Sequence, residues 1–116
     1  MDQDRKARLE AGGINIHGAL ERFMGNEAML ERYLRKFLTE KSYVGLEEAI
    51  AAGDREAAGV AAHSLKSVCG TIGCDAMQKL VLRQEQCMRS GNWDEAVRMM
   101  PEIAANYRKI CAVLHE

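Results

Sequence analysis

The segment AAHSLKSVCGTIGC, residues 61–74, decides how the chain is read. Ala61, Ala62, Leu65, Val68, Cys69 and Ile72 recur at steps of three and four, the spacing of a helix face that packs on a core. Carried back to Ala58, the stripe predicts a helix capped by Asp54 and stopped by Gly73. The opposite face carries Gly59, His63, Lys66, Ser67 and Gly70. Residues three and four apart on a helix have Cβ atoms about 5–6 Å apart, so His63, Lys66 and Ser67 form one cluster. A glycine inside a helix costs about 1 kcal/mol relative to alanine. Neither Gly59 nor Gly70 lies on the apolar stripe. Both are expected to leave the surface around His63 bare, so that a partner's backbone can approach the imidazole.

The same period runs outward in both directions. A short helix is expected over Ile14 to Phe23, ended by Gly25. Asn26 caps a long second helix with Leu30, Tyr33, Leu34, Phe37, Leu38, Leu46, Ala49 and Ile50 on its stripe, a possible break at Ser42 to Gly45, and Gly53 at its end. Asp75 and Gln78 have capping-box spacing for a fourth helix with Met77, Leu80, Val81, Cys87 and Met88 inward, closed by Gly91. Asn92 and Glu95 repeat that spacing before a last helix running from Trp93 to Leu114. Pro101 is expected to kink it by removing an amide donor. Long amphipathic helices joined by short glycine turns point to an all-α, up-down-up-down four-helix bundle with an additional short N-terminal helix. Residues 1–11 read as a flexible charged lead-in, and 12–116 as the bundle domain.

Composition narrows the function classes. The chain has 116 residues, a size suited to one domain with its own core, and a net charge of −1 that invites neither nucleic acid nor a membrane surface. No apolar run approaches the length of a membrane span. The start, MDQDRKARLE, has no apolar h-region, so a cytoplasmic protein with reduced Cys69, Cys74, Cys87 and Cys111 is expected. Those cysteines read as small core residues, with Cys74 near a helix start the most reactive of them. The spacing of His63 to Cys69 and Cys74 fits no zinc pattern, and no metal site or cofactor is expected. His17 and His115 read as solvated.

A neutral imidazole has one unprotonated nitrogen and a reference pKa of about 6.5, so an exposed His63 is a competent nucleophile near neutral pH. If that nitrogen took a phosphoryl group, an ammonium about 4 Å away would stabilise the added charge by roughly 1–4 kcal/mol, depending on the local dielectric. Lys66 is placed to supply it, and Ser67 to donate a hydrogen bond. No Walker-type glycine loop occurs, so a phosphoryl group would come from, and leave to, a partner.

HSLKSVCGTIG, residues 63–73, resembles the signature H-x-L-K-G/S-x-x-x-x-x-G of histidine-containing phosphotransfer (HPt) domains, on His63, Leu65, Lys66, Ser67 and Gly73. GINIHGALERFMGNEAMLERYLRKF (residues 13–37), AAGD before the third helix and RSGNWDEA before the last are also similar to that family, so the likeness spans roughly residues 12–114. The resemblance implies a helical bundle without kinase activity of its own. It would relay a phosphoryl group between aspartates of receiver domains, in response regulators or hybrid histidine kinases, with the receiver supplying the metal ion. It implies that His63 is phosphorylated through Nε2 and that Lys66 steadies the phosphate. Ser67 stands where the family most often has glycine. Glu85 matches a polar position that orients the histidine, Gln84 replaces the usual leucine beside it, and Arg89 adds positive charge one turn on. A monomer suffices for this role. The alternative is a docking module that binds and regulates a receiver or a histidine kinase without being phosphorylated. Which receivers are served, and in which direction the phosphoryl group flows, the sequence leaves open.

Overall fold

The computed structural model describes residues 1–116 and contains eight helices and no strand. They are α1 (Gln3–Ala11), α2 (Ile16–Arg22), α3 (Glu27–Phe37), α4 (Ser42–Ala52), α5 (Arg55–Ile72), α6 (Asp75–Arg89), α7 (Trp93–Arg98) and α8 (Met100–Leu114). Two of the four bundle rods are each made of two helices: α3 with α4, and α7 with α8. The other two rods are α5 and α6, and the bundle runs up-down-up-down. It is 44 × 24 × 20 Å, long in the direction of the helices.

Local chemistry sets most helix starts. The side chains of Asn15, Asn26, Asp54 and Asn92 accept hydrogen bonds from the amides of Gly18, Met29, Ala57 and Glu95. The expected capping box at Asp75 is not formed. Cys74 holds the cap position without a side-chain bond, and Asp75 lies in the first turn, where its Oδ2 accepts from Asn15 Nδ2 at 3.0 Å. Glu95 does not complete a box either, because its carboxylate is drawn to Arg98 at 3.0 Å.

Both composite rods break for identifiable reasons. Between α3 and α4 the Glu40 carboxylate accepts from the amide and hydroxyl of Ser42 at 2.9 and 2.8 Å, starting a new helix just ahead of the expected break. Gly45 lies inside α4, facing Ala61 of α5. In the last rod Pro101 ends α7 at Arg98 rather than kinking one continuous helix. It has no amide for the Val97 carbonyl, and its ring crowds that carbonyl. Gln84 Nε2 then donates to the neighbouring Ala96 carbonyl at 2.9 Å. Gln84 is fully buried and its Oε1 has no partner, so this polar side chain is tolerated in the core for what its nitrogen does at the break.

The core is made of Leu30, Leu34 and Phe37 from α3, Leu46 from α4, Ala62, Leu65, Cys69 and Ile72 from α5, Met77 and Val81 from α6, and Ile103 and Ile110 from α8. The aromatic residues contribute more than their number suggests. Tyr43 of α4 stacks on Tyr107 of α8 with centroids 3.7 Å apart and planes 5° from parallel.

The lead-in expected to be flexible is α1. Its charges are engaged: Arg5 makes a two-pronged contact with Glu31 at 2.6 and 3.1 Å, and Lys6 reaches Glu27 at 3.0 Å. Its single large apolar residue, Leu9, is fully buried. At the same end of the bundle α2 docks on the C-terminal end of α5. The Asn15 amide donates to the Gly73 carbonyl at 2.7 Å, and Arg22 Nε donates to the Thr71 carbonyl at 3.3 Å.

Candidate functional site

His63 stands in the middle of α5, with 61% of its side chain exposed. Its Nδ1 lies 3.0 Å from Glu85 Oε2 of α6. An ionised carboxylate only accepts, so the proton of this bond belongs to Nδ1. In the neutral ring that leaves the lone pair on Nε2. Glu85 therefore selects the tautomer and holds the ring plane.

Glu85 is 3% exposed, on a helix face otherwise given to Met77, Leu80, Val81 and Gln84. A carboxylate in such a place needs donors, and it has three. Lys66 Nζ donates to Oε1 at 2.7 Å, His63 Nδ1 to Oε2 at 3.0 Å, and Arg89 Nη2 to Oε2 at 3.2 Å. Burial opposes the charge, but the hydrogen bonds from Lys66 and His63, with the charges of Lys66 and Arg89, hold the carboxyl below its ordinary range. The unfolded chain thus takes up this proton first as pH falls. The stabilisation is fully present above the unfolded value of about 4.3 and is lost as pH falls through the lower folded value. Denaturant midpoints of wild type and Glu85→Gln, measured down the acid range, are expected to differ most near neutrality and to converge below about pH 4. A gap that stays constant with pH would contradict this.

The two glycines flanking His63 differ. A Cβ at Gly59 would meet nothing, and a depression opens there beside the imidazole, lined also by Arg55, Val60, Met88 and Arg89. Gly70 is not open. The side-chain amide of Gln78 lies against it, where a Cβ would clash, and its Nε2 is 3.5 Å from the Lys66 carbonyl. Gly70 thus gives the Gln78 side chain room to lie against α5, and a Cβ there would require that flexible side chain to shift. Ser67 is exposed, but its hydroxyl donates back to the His63 carbonyl at 3.2 Å, the habitual bond of a helical serine. The ammonium of Lys66, expected to steady a phosphate, is bound to Glu85, and the Lys66 side chain is 21% exposed.

Three contributors had escaped the sequence reading. Val60 is 66% exposed beside His63, an apolar residue on the polar side of the wheel, and that misplacement was its signal. Arg55 lies over the Trp93 ring at 5.4 Å, and Gln78 had been read only as a cap. Cys74 is not the reactive thiol expected. It is fully buried, and burial, with the nearby Asp75 charge, pushes it up to about 12. His17 is exposed, with its Nε2 3.0 Å from Glu21 Oε1. No cluster of His, Cys, Asp and Glu could hold a metal ion, and no helix is long and apolar enough to cross a membrane.

The site is thus an outward imidazole on an all-helical bundle, braced by a buried acid. The family model described as the Hpt domain matches residues 30–113, most of the chain, and the protein belongs to that family. Its function is accordingly phosphotransfer in two-component signalling, with receiver domains and kinases as its class of partners. No curated protein and no solved structure matches the chain.

Proposed function

We propose that the protein is a phosphorelay intermediate that accepts a phosphoryl group on His63 from a receiver aspartate and passes it to another receiver, or back. The observation that carries this reading is the exposed imidazole whose Nδ1 is tied to Glu85 at 3.0 Å. Nε2 attacks the phosphorus of the aspartyl phosphate in line. The N–P bond forms as the P–O bond to the aspartate breaks, and the aspartate leaves as a free carboxylate. The ring becomes cationic with Nδ1 still protonated, and Glu85 stabilises that charge. The return step is the reverse. Catalysis is positioning plus charge stabilisation, and the receiver brings the divalent ion. Gly59 gives the receiver room to approach. Arg89 provides positive charge for the transferred group, and Lys66 holds Glu85 in place.

The test is incubation with a labelled, phosphorylated receiver. Acid-labile, base-stable label located at residue 63 supports the proposal. Tight receiver binding without any label would replace it by a docking module that is not phosphorylated.

A further inference from the structure

Resting on the reading of His63 as the phosphoacceptor, we infer that Arg89 is the cation that grips the phosphoryl group, while Lys66 stays fixed as the counter-ion of Glu85. The sequence suggested the opposite emphasis, with Lys66 on the phosphate. The carboxylate between the two cations decides the matter.

Glu85 is almost wholly buried, and its two oxygens are not equally served. Oε1 has one donor, Lys66 Nζ at 2.7 Å. Oε2 has two, His63 Nδ1 at 3.0 Å and Arg89 Nη2 at 3.2 Å. If Lys66 turned to a phosphate, Oε1 would be left as a buried carboxylate oxygen with no donor, a costly state. If Arg89 turned, Oε2 would keep His63. Arg89 is thus the cation that can leave at little cost.

Exposure and shape agree. The side chain of Arg89 is 67% exposed and that of Lys66 21%. Arg89 lines the depression it shares with His63 and the open Gly59, and Lys66 does not. The chemistry of the two heads agrees as well. A guanidinium has five N–H groups, so one nitrogen can remain on Glu85 while the others reach phosphate oxygens as a fork. An ammonium is a point charge already committed at 2.7 Å. Arg55 also borders the depression but is engaged over Trp93 and stands two turns from His63.

The experiment uses the full chain with a phosphorylated receiver. It reads the equilibrium share of label on His63, the 31P titration of the phosphohistidine, and the denaturant midpoint. Arg89→Ala is expected to lower the histidine share by roughly three- to tenfold and to raise the phosphoryl pKa, with the midpoint nearly unchanged. Arg89→Lys should recover part of the share. Lys66→Met is expected to lower the midpoint, while the folded protein keeps its histidine share and its phosphoryl titration. A change in share without the 31P shift would mean that Arg89 acts only through Glu85, and would overturn the assignment. So would an unaltered share in Arg89→Ala, a loss of equal size in Lys66→Met, or a loss seen in Arg55→Ala instead. Absence of label on His63 in the wild type would remove the phosphoacceptor reading itself and this assignment with it.

Discussion

A chain carrying His63→Gln is expected to take no label from a phosphorylated receiver, however long the incubation, while unfolding within about 0.5 kcal/mol of the wild type. The loss is complete because nothing else at the site can replace Nε2. The glutamine amide nitrogen has its lone pair delocalised into the carbonyl, the Ser67 hydroxyl is turned onto its own helix, and Lys66 and Arg89 are cations. The stability cost is small for two reasons. Most of the imidazole is in solvent, so little burial is lost. The glutamine side-chain N–H can also reach toward Glu85 Oε2, so the buried acid keeps its complement of donors. Receiver binding should survive the substitution, which separates loss of chemistry from loss of docking. Label that persists in His63→Gln would refute the assignment of the phosphoacceptor.

The largest expected effect on stability lies ten residues further on. Gly73→Ala is expected to lose roughly 3 kcal/mol, or about 10 °C or more in Tm, read by thermal or denaturant unfolding. Gly73 ends α5 with φ of +87°, where an L side chain costs about 1–2 kcal/mol. Space is missing as well. A Cβ there would come 2.6 Å from the Asn15 carbonyl oxygen, a backbone atom that cannot step aside as a flexible side chain can. The strain would spread, because Asn15 also donates its amide to the Gly73 carbonyl, caps α2 at Gly18 and bonds Asp75 at the start of α6. Three helix ends meet at this glycine. A midpoint equal to wild type would show that α2 moves off α5 without cost.

The legible part of the molecule is the part that depends on neighbours in sequence. The stripe from Ala58 to Ile72 set the inward face of α5 and so the outward direction of His63. The caps at Asn26, Asp54 and Asn92 act within three residues of themselves, and they formed as expected. The failures are of another kind. The segment that forms α1 read as a flexible lead-in because the partners of its charges, Glu27 and Glu31, lie more than twenty residues away. Gly70 looked open because Gln78 comes to it from the next helix. Gln84 and Pro101 each looked like a local irregularity, yet the side-chain amide of one serves the backbone that the other breaks.

The sequence by itself determined the four bundle rods, their order and a single imidazole on the solvent-facing side of α5, because periodicity, caps and stops are short-range properties of the chain. Tertiary structure alone decided what that imidazole's neighbours do. The register of α5 against α6 brings Glu85 between His63, Lys66 and Arg89, nineteen residues along the chain from Lys66 and twenty-two from His63. Once that carboxylate is buried, its need for donors fixes the imidazole tautomer, immobilises the lysine and leaves the arginine with N–H groups to spare.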